Sequence, residues 1–249
     1  MTKRRFKNNP YSNPYGQQHI TNQFEASASE NVAKLIIYGD IGEGWWDDNS
    51  TSANDIENAL KSIDANEIHV HINSLGGDVF DGIAIYNLLK NHDAKVIIHI
   101  DGVAASAASL IAMSGDEVIM NTGSMIMIHE ASTWVWGTKT DIQKTLNALE
   151  GIDKSIANIY MTRFKGEKED IEKLIVAETW FTDEEAVEVG FADSVGNTTQ
   201  SEEEEEEELD PLEVKNSILA KFRNKKPEQN EKQNEKQNIL NKFKRNSNE

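Results

Sequence analysis

Between residues 32 and 196, short apolar runs alternate with segments whose apolar residues recur at helical spacing. The runs have the length of buried strands, and the segments between them are long enough to form helices that cover a sheet. The predicted strands are residues 34–38, 68–72, 95–100, 117–120 and 125–128, and the predicted helices lie near residues 56–63, 79–91, 106–113 and 138–164. This alternation predicts an α/β fold with helices packed against mainly parallel strands.

The ends of the chain lack this pattern. Residues 1–31 are rich in Asn, Gln, Ser and Tyr, which predicts a flexible arm. Residues 197–249 hold seven consecutive glutamates and then a Lys/Asn/Gln-rich stretch, which predicts an acidic linker and a disordered tail. Residues 218–222 resemble residues 239–243; slippage within a disordered tail is favoured over two short docking helices.

Composition excludes several classes of protein. The 249 residues include no cysteine, which rules out disulfide scaffolds, cysteine nucleophiles and cysteine-ligated metals. A net charge of −18 argues against a nucleic-acid binder or a binder of anionic membranes. No signal peptide and no membrane-spanning stretch is recognisable, so we expect a soluble intracellular protein.

Two segments share the same order of strand, Gly/Ala-rich turn and helix start. The first spans residues 71–78 and contains Gly76 and Gly77, and the second spans residues 100–107 and contains Ser106. If the two helix starts converge, their free N–H groups would bind an anion such as the oxyanion of an acyl-transfer reaction. Ser106 is then either a nucleophile or a helix N-cap, and capping is the more common reason for a serine at this position.

His129 is the histidine best placed to serve as a base. It closes the apolar run at residues 125–128, and catalytic side chains of α/β proteins commonly emerge at strand ends. His69 and His71 share one strand face but lack a third ligand, so no metal site is predicted. Neither a P-loop nor a Gly-x-Ser-x-Gly motif is present, and bulky residues follow the glycines at residues 39–44, which disfavours a dinucleotide loop.

Three motifs, in this order and spacing, resemble the Clp protease proteolytic subunit (ClpP) family: Asn-Ser-Leu-Gly-Gly-Asp at 73–78, Gly-Val-Ala-Ala-Ser-Ala at 102–107 and Met-Ile-His at 127–129. Longer phrases, including Glu-Thr-Trp-Phe-Thr at 178–182, resemble its bacteriophage branch, the head maturation (prohead) proteases. The resemblance covers about residues 32–196, which we take as the protease domain.

The resemblance implies a ClpP/crotonase-like spiral of repeated ββα units and a serine peptidase without a cofactor. It assigns Ser106 as nucleophile, His129 as general base, and the backbone N–H groups of Gly77 and Ala107 as the oxyanion hole. It further implies a homo-oligomeric ring that acts on scaffold and capsid-precursor proteins, inside assembling proheads in the host cytoplasm. Because the chain has no ATPase motif, any unfolding machinery would be a separate chain.

The chain departs from the family pattern at two positions. Leu75 stands where the family has proline in the turn before the glycines. The aspartate of the triad aligns with Thr179, which we expect to orient the His129 ring through its hydroxyl; the adjacent Glu178 is the alternative. A hydroxyl can fix the imidazole tautomer but does not stabilise imidazolium as a carboxylate does.

Trp134 and Trp136 follow His129 and precede the long helix. They form either an apolar wall of the substrate groove, together with Gly76, or a subunit contact, or they pack as part of an ordinary hairpin. The helix near residues 138–164 matches the position of the ClpP handle, which mediates contacts between rings, although its apolar stripe also suits core packing.

We therefore predict a serine endopeptidase of the prohead type. One alternative is a catalytically weak or inactive ClpP-like assembly protein, which the unusual third position favours. Another is a crotonase-type acyl-CoA enzyme, although no basic residue near either turn would meet a CoA phosphate. Residues 32–196 hold 11 Lys/Arg against 28 Asp/Glu, so substrates with basic cleavage segments should be favoured.

Overall fold

The computed structural model describes residues 20–29, 31–43 and 50–196 of the 249-residue chain. Strands and helices alternate through most of this part, as the apolar pattern predicts. In chain order they are β1 (Gln23–Ser29), β2 (Val32–Ile41), α1 (Ala53–Lys61), β3 (Glu67–Gly77), α2 (Val79–Lys90), β4 (Lys95–Ala105), α3 (Ala107–Ala112), β5 (Glu117–Met120), β6 (Met125–Ile128), α4 (Lys139–Tyr160), α5 (Lys168–Val176), β7 (Thr179–Thr182), α6 (Asp183–Val189) and β8 (Ser194–Val195).

One mixed sheet contains these strands. Its order is β1-β2-β3-β4-β5-β8, while β6 pairs with both β4 and β7. Most neighbours are parallel; the β1–β2 and β6–β7 pairs are antiparallel. Alternate strand residues such as Leu35, Val70 and Ile98 are fully buried, as expected for a sheet with one face under helices. The predicted α/β class with mainly parallel strands is confirmed.

The strand β4 changes partner along its length, and this positions the candidate site. Residues 97–100 of β4 pair with β5, whereas residues 103–105 pair in parallel with β6. In this second ladder Ala105 stands opposite Met127. Because the two strands run in the same direction, Ser106 directly after β4 and His129 directly after β6 emerge at the same edge of the sheet.

The two glycine- and alanine-rich turns predicted after residues 72 and 100 are wrong. The strand β3 continues to Gly77, and β4 continues to Ala105. Both extensions have ladder partners: Gly76 and Gly77 pair with the end of β2, and the end of β4 pairs with β6. Register shifts in the β2–β3 and β3–β4 ladders absorb the irregular backbone. Composition alone indicated turns because the partner strands that satisfy these backbone groups are distant in sequence.

The predicted N-terminal arm is wrong for Gln23–Ser29. These residues form β1, which pairs antiparallel with β2 along its whole length. The segment has weak apolar periodicity because it is an edge strand whose side chains are mostly exposed. Residues 1–19 and the predicted linker and tail at 197–249 lie outside the described residues, so their predictions stay predictions.

Other local predictions are confirmed. The strands β5 and β6 have the predicted bounds. The long helix predicted near residues 138–164 is α4, which ends at Tyr160. The structure adds two capping boxes, one at Ser52 and Asp55 before α1 and one at Thr138 and Asp141 before α4.

No helix of the described residues is both long enough and apolar enough to cross a membrane. No group of three or more His, Asp or Glu side chains within the described ranges is arranged to hold a metal ion.

Candidate active site

Ser106 lies at the junction of β4 and α3, in a backbone conformation that L residues rarely adopt. Its φ of 54° and ψ of −125° fall outside the regions favoured by residues with a Cβ atom. Its N–H donates to the Met127 carbonyl at 2.9 Å, which ties the junction to β6. The Ser106 side chain makes no capping hydrogen bond to α3, so the interpretation of this serine as an N-cap is wrong.

The Ser106 hydroxyl instead reaches His129. The distance from Ser106 Oγ to His129 Nε2 is 2.7 Å, which is a short hydrogen bond. His129 is half-buried, and this burial lowers the pKa of its imidazole by penalising the charged form. The carboxylates of Asp153 and Glu130 oppose that effect by raising the pKa. A neutral imidazole can accept the hydroxyl proton, so the geometry and the protonation state both suit general-base chemistry.

Gly76 permits the close approach of β3 to this junction. Its φ is +97°, and a Cβ atom added there would lie 2.7 Å from both the Ala105 carbonyl oxygen and Ser106 Cβ. The same atom would lie 2.9 Å from the Ala107 backbone nitrogen. Only glycine fits this position, because an L side chain would push Ser106 and Ala107 away from β3.

Gly77 and Ala107 line the same space as the Ser–His pair. The Asp78 N–H donates to the Ile41 carbonyl at 2.9 Å, and Gly77 is the register partner of Ile41. In a parallel ladder, successive amides point to opposite edges, so the Gly77 N–H is directed away from β2. Ala107 is the first residue of α3, a position whose N–H has no partner within the helix.

A cavity of about 530 Å³ opens in front of these groups. Its walls include Gly77, Ser106, Ala107 and His129 on one side, and apolar residues of α4 on the other. The apolar lining includes Phe80, Leu149, Ile152 and Ile156. A largely apolar cleft with a few polar groups at one point is typical of a site that binds and reacts with an organic substrate.

Comparison with known proteins identifies the family. The family model described as "Clp protease" matches residues 47–199, more than half of the chain, and this range contains both Ser106 and His129. The chain belongs to the Clp protease family. The resemblance predicted from three short motifs is thereby confirmed at the level of the family.

The chain is also similar to curated members of this family. It is 33% identical over 131 residues to "ATP-dependent Clp protease proteolytic subunit 3" of Rhodococcus jostii, covering 52% of this chain and 65% of the relative. It is 26% identical over 193 residues to the proteolytic subunit of Bacteroides thetaiotaomicron, covering 75% of this chain and 84% of the relative. It is 30% identical over 128 residues to proteolytic subunit 1 of Chlamydia abortus, covering 50% of this chain and 67% of the relative. The chain thus spans just under two thirds of the first of these relatives.

The residue predicted to orient His129 has a different partner in this Clp-family structure. The buried Thr179 hydroxyl donates to the Leu174 carbonyl at 2.7 Å. Within the described ranges, no hydrogen bond joins Thr179 to His129, so the predicted contact is not found. In the β6–β7 ladder Thr179 stands opposite Ile128. This is the last pair of the ladder: His129 follows Ile128 in the chain, and Glu178, with a left-handed φ of 50°, precedes Thr179.

The two tryptophans are not part of the cleft. Trp134 is 90% exposed and Trp136 is 100% exposed, and neither lines the cavity. The prediction that they form a wall of the substrate groove is therefore not supported, and their burial in a packed hairpin is wrong. Gly76 likewise lies behind Ser106 rather than in the cleft wall.

Sequence reasoning missed the residues that complete the cleft. Phe80 lies in the first turn of α2, two residues after Gly-Gly-Asp, and the apolar stripe of α4 lines the cleft besides serving the predicted packing or ring contacts. Asp153 and Tyr160 of α4 also escaped notice. The signal for Tyr160 was its place on that stripe, four residues after Ile156.

Proposed function

We propose that the chain is a serine endopeptidase that works through Ser106 and His129. The observation that carries this proposal is the 2.7 Å hydrogen bond between Ser106 Oγ and His129 Nε2. The rare backbone conformation of Ser106 supports it, because nucleophilic serines are commonly presented on strained strand-to-helix turns. Membership of the Clp protease family supports it independently.

The proposed reaction is acyl transfer to the serine. His129 Nε2 accepts the Ser106 proton while Oγ attacks the carbonyl carbon of the scissile peptide. The N–H groups of Gly77 and Ala107 stabilise the oxyanion that develops. His129 then gives the proton to the departing amine as the C–N bond breaks, and water hydrolyses the acyl-enzyme by the same steps in reverse.

We propose Glu178, rather than Thr179, as the side chain that assists His129 from β7. The β6–β7 ladder supports this choice, since Glu178 and His129 both adjoin its last pair, Ile128 and Thr179. The Thr179 hydroxyl already donates its hydrogen to the Leu174 carbonyl. A carboxylate also stabilises the imidazolium formed during the reaction, which a hydroxyl does not.

A fluorophosphonate probe tests the peptidase proposal. We expect the purified chain to be labelled on Ser106, and expect Ser106→Ala to abolish both labelling and peptide hydrolysis. The matched control is Ser155→Ala on the outer face of α4, which should be labelled as the wild type is. If the folded wild-type chain is not labelled, the peptidase proposal fails and the alternative of an inactive assembly protein is favoured.

We propose that the physiological role is that of a phage prohead protease that cleaves scaffold and capsid-precursor proteins. The phrases shared with the bacteriophage branch support this role. On this proposal the chain acts as a homo-oligomeric ring inside assembling proheads in the host cytoplasm. Residues 32–196 then form the protease domain, with β1 added to its edge.

Mass spectrometry of cleavage products tests this role. The chain is incubated with a purified phage scaffold protein and a purified capsid precursor, without nucleotide. New termini that are absent with Ser106→Ala support the prohead role. Hydrolysis of short peptides without cleavage of either precursor would reject the prohead role and leave the peptidase proposal intact.

A second candidate is a proteolytic subunit that depends on a separate Clp ATPase. The names of the curated relatives, each an ATP-dependent Clp protease subunit, favour it. Under this candidate a folded protein substrate is degraded only when a Clp-type ATPase and ATP are added. Cleavage of the precursors that is unchanged by that addition supports the prohead role.

A further inference from the structure

Both members of the Ser–His pair are connected to one helix, α4. We propose that Tyr160 and Asp153 of α4 are positioning residues that hold Ser106 and His129, respectively, in reactive alignment. The two residues are seven positions apart, which places them on the same face of the helix two turns from each other. This inference rests on the proposed peptidase function.

The Tyr160 connection runs through Ser109. The Tyr160 hydroxyl lies 2.8 Å from Ser109 Oγ, and Ser109 Oγ donates to the Ser106 carbonyl at 2.6 Å. Since a serine hydroxyl has a single hydrogen, the Tyr160 hydroxyl must be the donor to Ser109. The Ser109 N–H donates to the same carbonyl at 3.0 Å.

This chain of hydrogen bonds ends at the backbone carbonyl of Ser106, which belongs to the strained part of that residue. The orientation of the Ser106 carbonyl sets its ψ angle, and that angle belongs to a conformation serine does not favour. A strained conformation persists only where surrounding contacts determine it. Tyr160 and Ser109 are both buried, so water does not compete for these bonds.

The Asp153 connection acts on the segment that follows His129. Asp153 Oδ1 accepts the N–H of Ala131 at 2.8 Å, and Ala131 is two residues beyond His129. This bond fixes the direction in which the chain leaves β6 and therefore the direction of the imidazole. Two carboxylates act on the charge of His129: Asp153 from α4, and Glu130 beside it in sequence.

The charge of Asp153 gives it a signature that a purely structural contact lacks. Burial lowers the pKa of His129, and Asp153 is the largest charge effect that raises it. Asn at position 153 keeps an oxygen for the Ala131 N–H but removes this charge. Asp153→Asn should therefore lower the pKa of His129 and preserve its orientation, whereas Asp153→Ala should disturb both.

The first experiment measures Tyr160→Phe, Ser109→Ala and the double variant. We expect kcat for peptide hydrolysis and the rate of fluorophosphonate labelling to fall about tenfold in each, with KM changed less than about twofold. The double variant should have a kcat no lower than either single variant, because all three variants break the same chain of hydrogen bonds from Tyr160 through Ser109 to Ser106. Tyr86→Phe, which removes the hydroxyl of another buried tyrosine, is the control and should retain wild-type kcat.

The second experiment follows kcat/KM against pH. Asp153→Asn should shift the acid limb to lower pH with little loss at neutral pH, and Asp153→Ala should lose about tenfold at neutral pH. Glu150→Gln removes one carboxylate a turn earlier on α4 and should leave the limb unchanged.

The outcomes separate this inference from the function on which it rests. If the wild-type chain is not labelled at Ser106, the peptidase proposal itself fails. If it is labelled, but Tyr160→Phe keeps its kcat and Asp153→Asn keeps its acid limb, the peptidase stands and the positioning role of α4 is rejected. Variants whose unfolding midpoint falls while kcat of the folded fraction is unchanged reject it equally.

Discussion

At the scale of single residues, the reactive pair combines a strained serine with a half-buried histidine. A conformation such as that of Ser106 costs on the order of 1–3 kcal/mol, which the surrounding structure must offset. The hydrogen bonds to Met127, to Ser109 and to His129 are the contacts that do so. Because these hydrogen bonds hold the strained backbone of Ser106, its Oγ atom stays directed toward the cleft.

The pH dependence of the reaction should report the environment of His129. Burial lowers the pKa of His129 below its ordinary value of 6.5, and a general base must be neutral to act. Neutral imidazole therefore persists to lower pH than in a free histidine, so the acid limb of kcat/KM should have its midpoint below 6.5. The exchange His92→Gln, at the far end of α2, should not move the limb, and a midpoint above 6.5 would contradict this account of His129.

Thr179 should matter for stability more than for chemistry. Thr179→Val removes the buried hydrogen bond to the Leu174 carbonyl and should cost about 1–2 kcal/mol in the free energy of unfolding measured in urea. Its labelling rate should stay within about threefold of the wild type, while Glu178→Gln should lose about tenfold or more. A large loss of labelling in fully folded Thr179→Val, with none in Glu178→Gln, would restore Thr179 as the residue that orients His129.

At the scale of elements, the site forms where β3, β4 and β6 end side by side. Parallel pairing carries Ser106 and His129 to one edge, and Gly76 lets β3 approach the start of α3. The cleft wall opposite comes from α4, a helix well separated in sequence from β3. Small shifts between these elements should therefore affect chemistry before they affect folding.

Two glycines allow that expectation to be tested with one type of substitution. Gly76 and Gly123 both have positive φ, but a Cβ at Gly76 meets Ser106 and its neighbours, whereas nothing lies within 4 Å of one at Gly123. Gly76→Ala should lower the labelling rate by about a hundredfold. Gly123→Ala should cost about 1–2 kcal/mol of stability and keep the wild-type rate. Equal activity in the two variants would show that the approach of β3 is not needed.

At the scale of the whole molecule, apolar side chains are exposed beside the cleft. Trp134, Trp136, Ile142 and Leu146 are between 47% and 100% exposed, on the loop after His129 and the first two turns of α4. Exposed apolar patches of this kind commonly mark contacts with other proteins. The position supports the proposed ring assembly, in which copies of the chain cover this surface.

Sedimentation velocity should detect that assembly. Leu146→Glu places a charge in the exposed patch and should shift the chain toward smaller species by at least tenfold in apparent Kd. Val32→Glu is the matched control, because Val32 is similarly exposed but lies on β2. A wild-type chain that sediments as a monomer at all concentrations would reject the ring.

The acidic balance of the molecule makes a separate prediction about substrates. Of the −18 net charge, −17 falls in residues 32–196, because the glutamate run is nearly balanced by the basic tail that follows it. Peptides with basic flanks should be cleaved at least several-fold faster in kcat/KM than matched acidic peptides at low salt, and the ratio should shrink as salt screens the charges. A ratio of one at every salt concentration would contradict it.

The sequence by itself determined the features that depend on neighbouring residues. The bounds of β5 and β6 and the α/β alternation follow from the periodicity of apolar side chains within a few residues. The order and spacing of three motifs also indicated the family. These signals are local or cumulative along the chain, so no knowledge of the packing was needed to find them.

Only the tertiary structure decided the features that depend on distant partners. Local chemistry favoured Ser106 as a helix cap. In the structure the ladder between β4 and β6 places Ser106 beside His129, and the two side chains form a hydrogen bond. Gly76 and Gly77 predicted a turn, but in the structure they pair with the end of β2. The Thr179 hydroxyl was expected to contact the imidazole of His129, but it donates to the Leu174 carbonyl. In each case the competing partner lies on another element, and its distance is set by sheet register and helix packing rather than by the residues alongside.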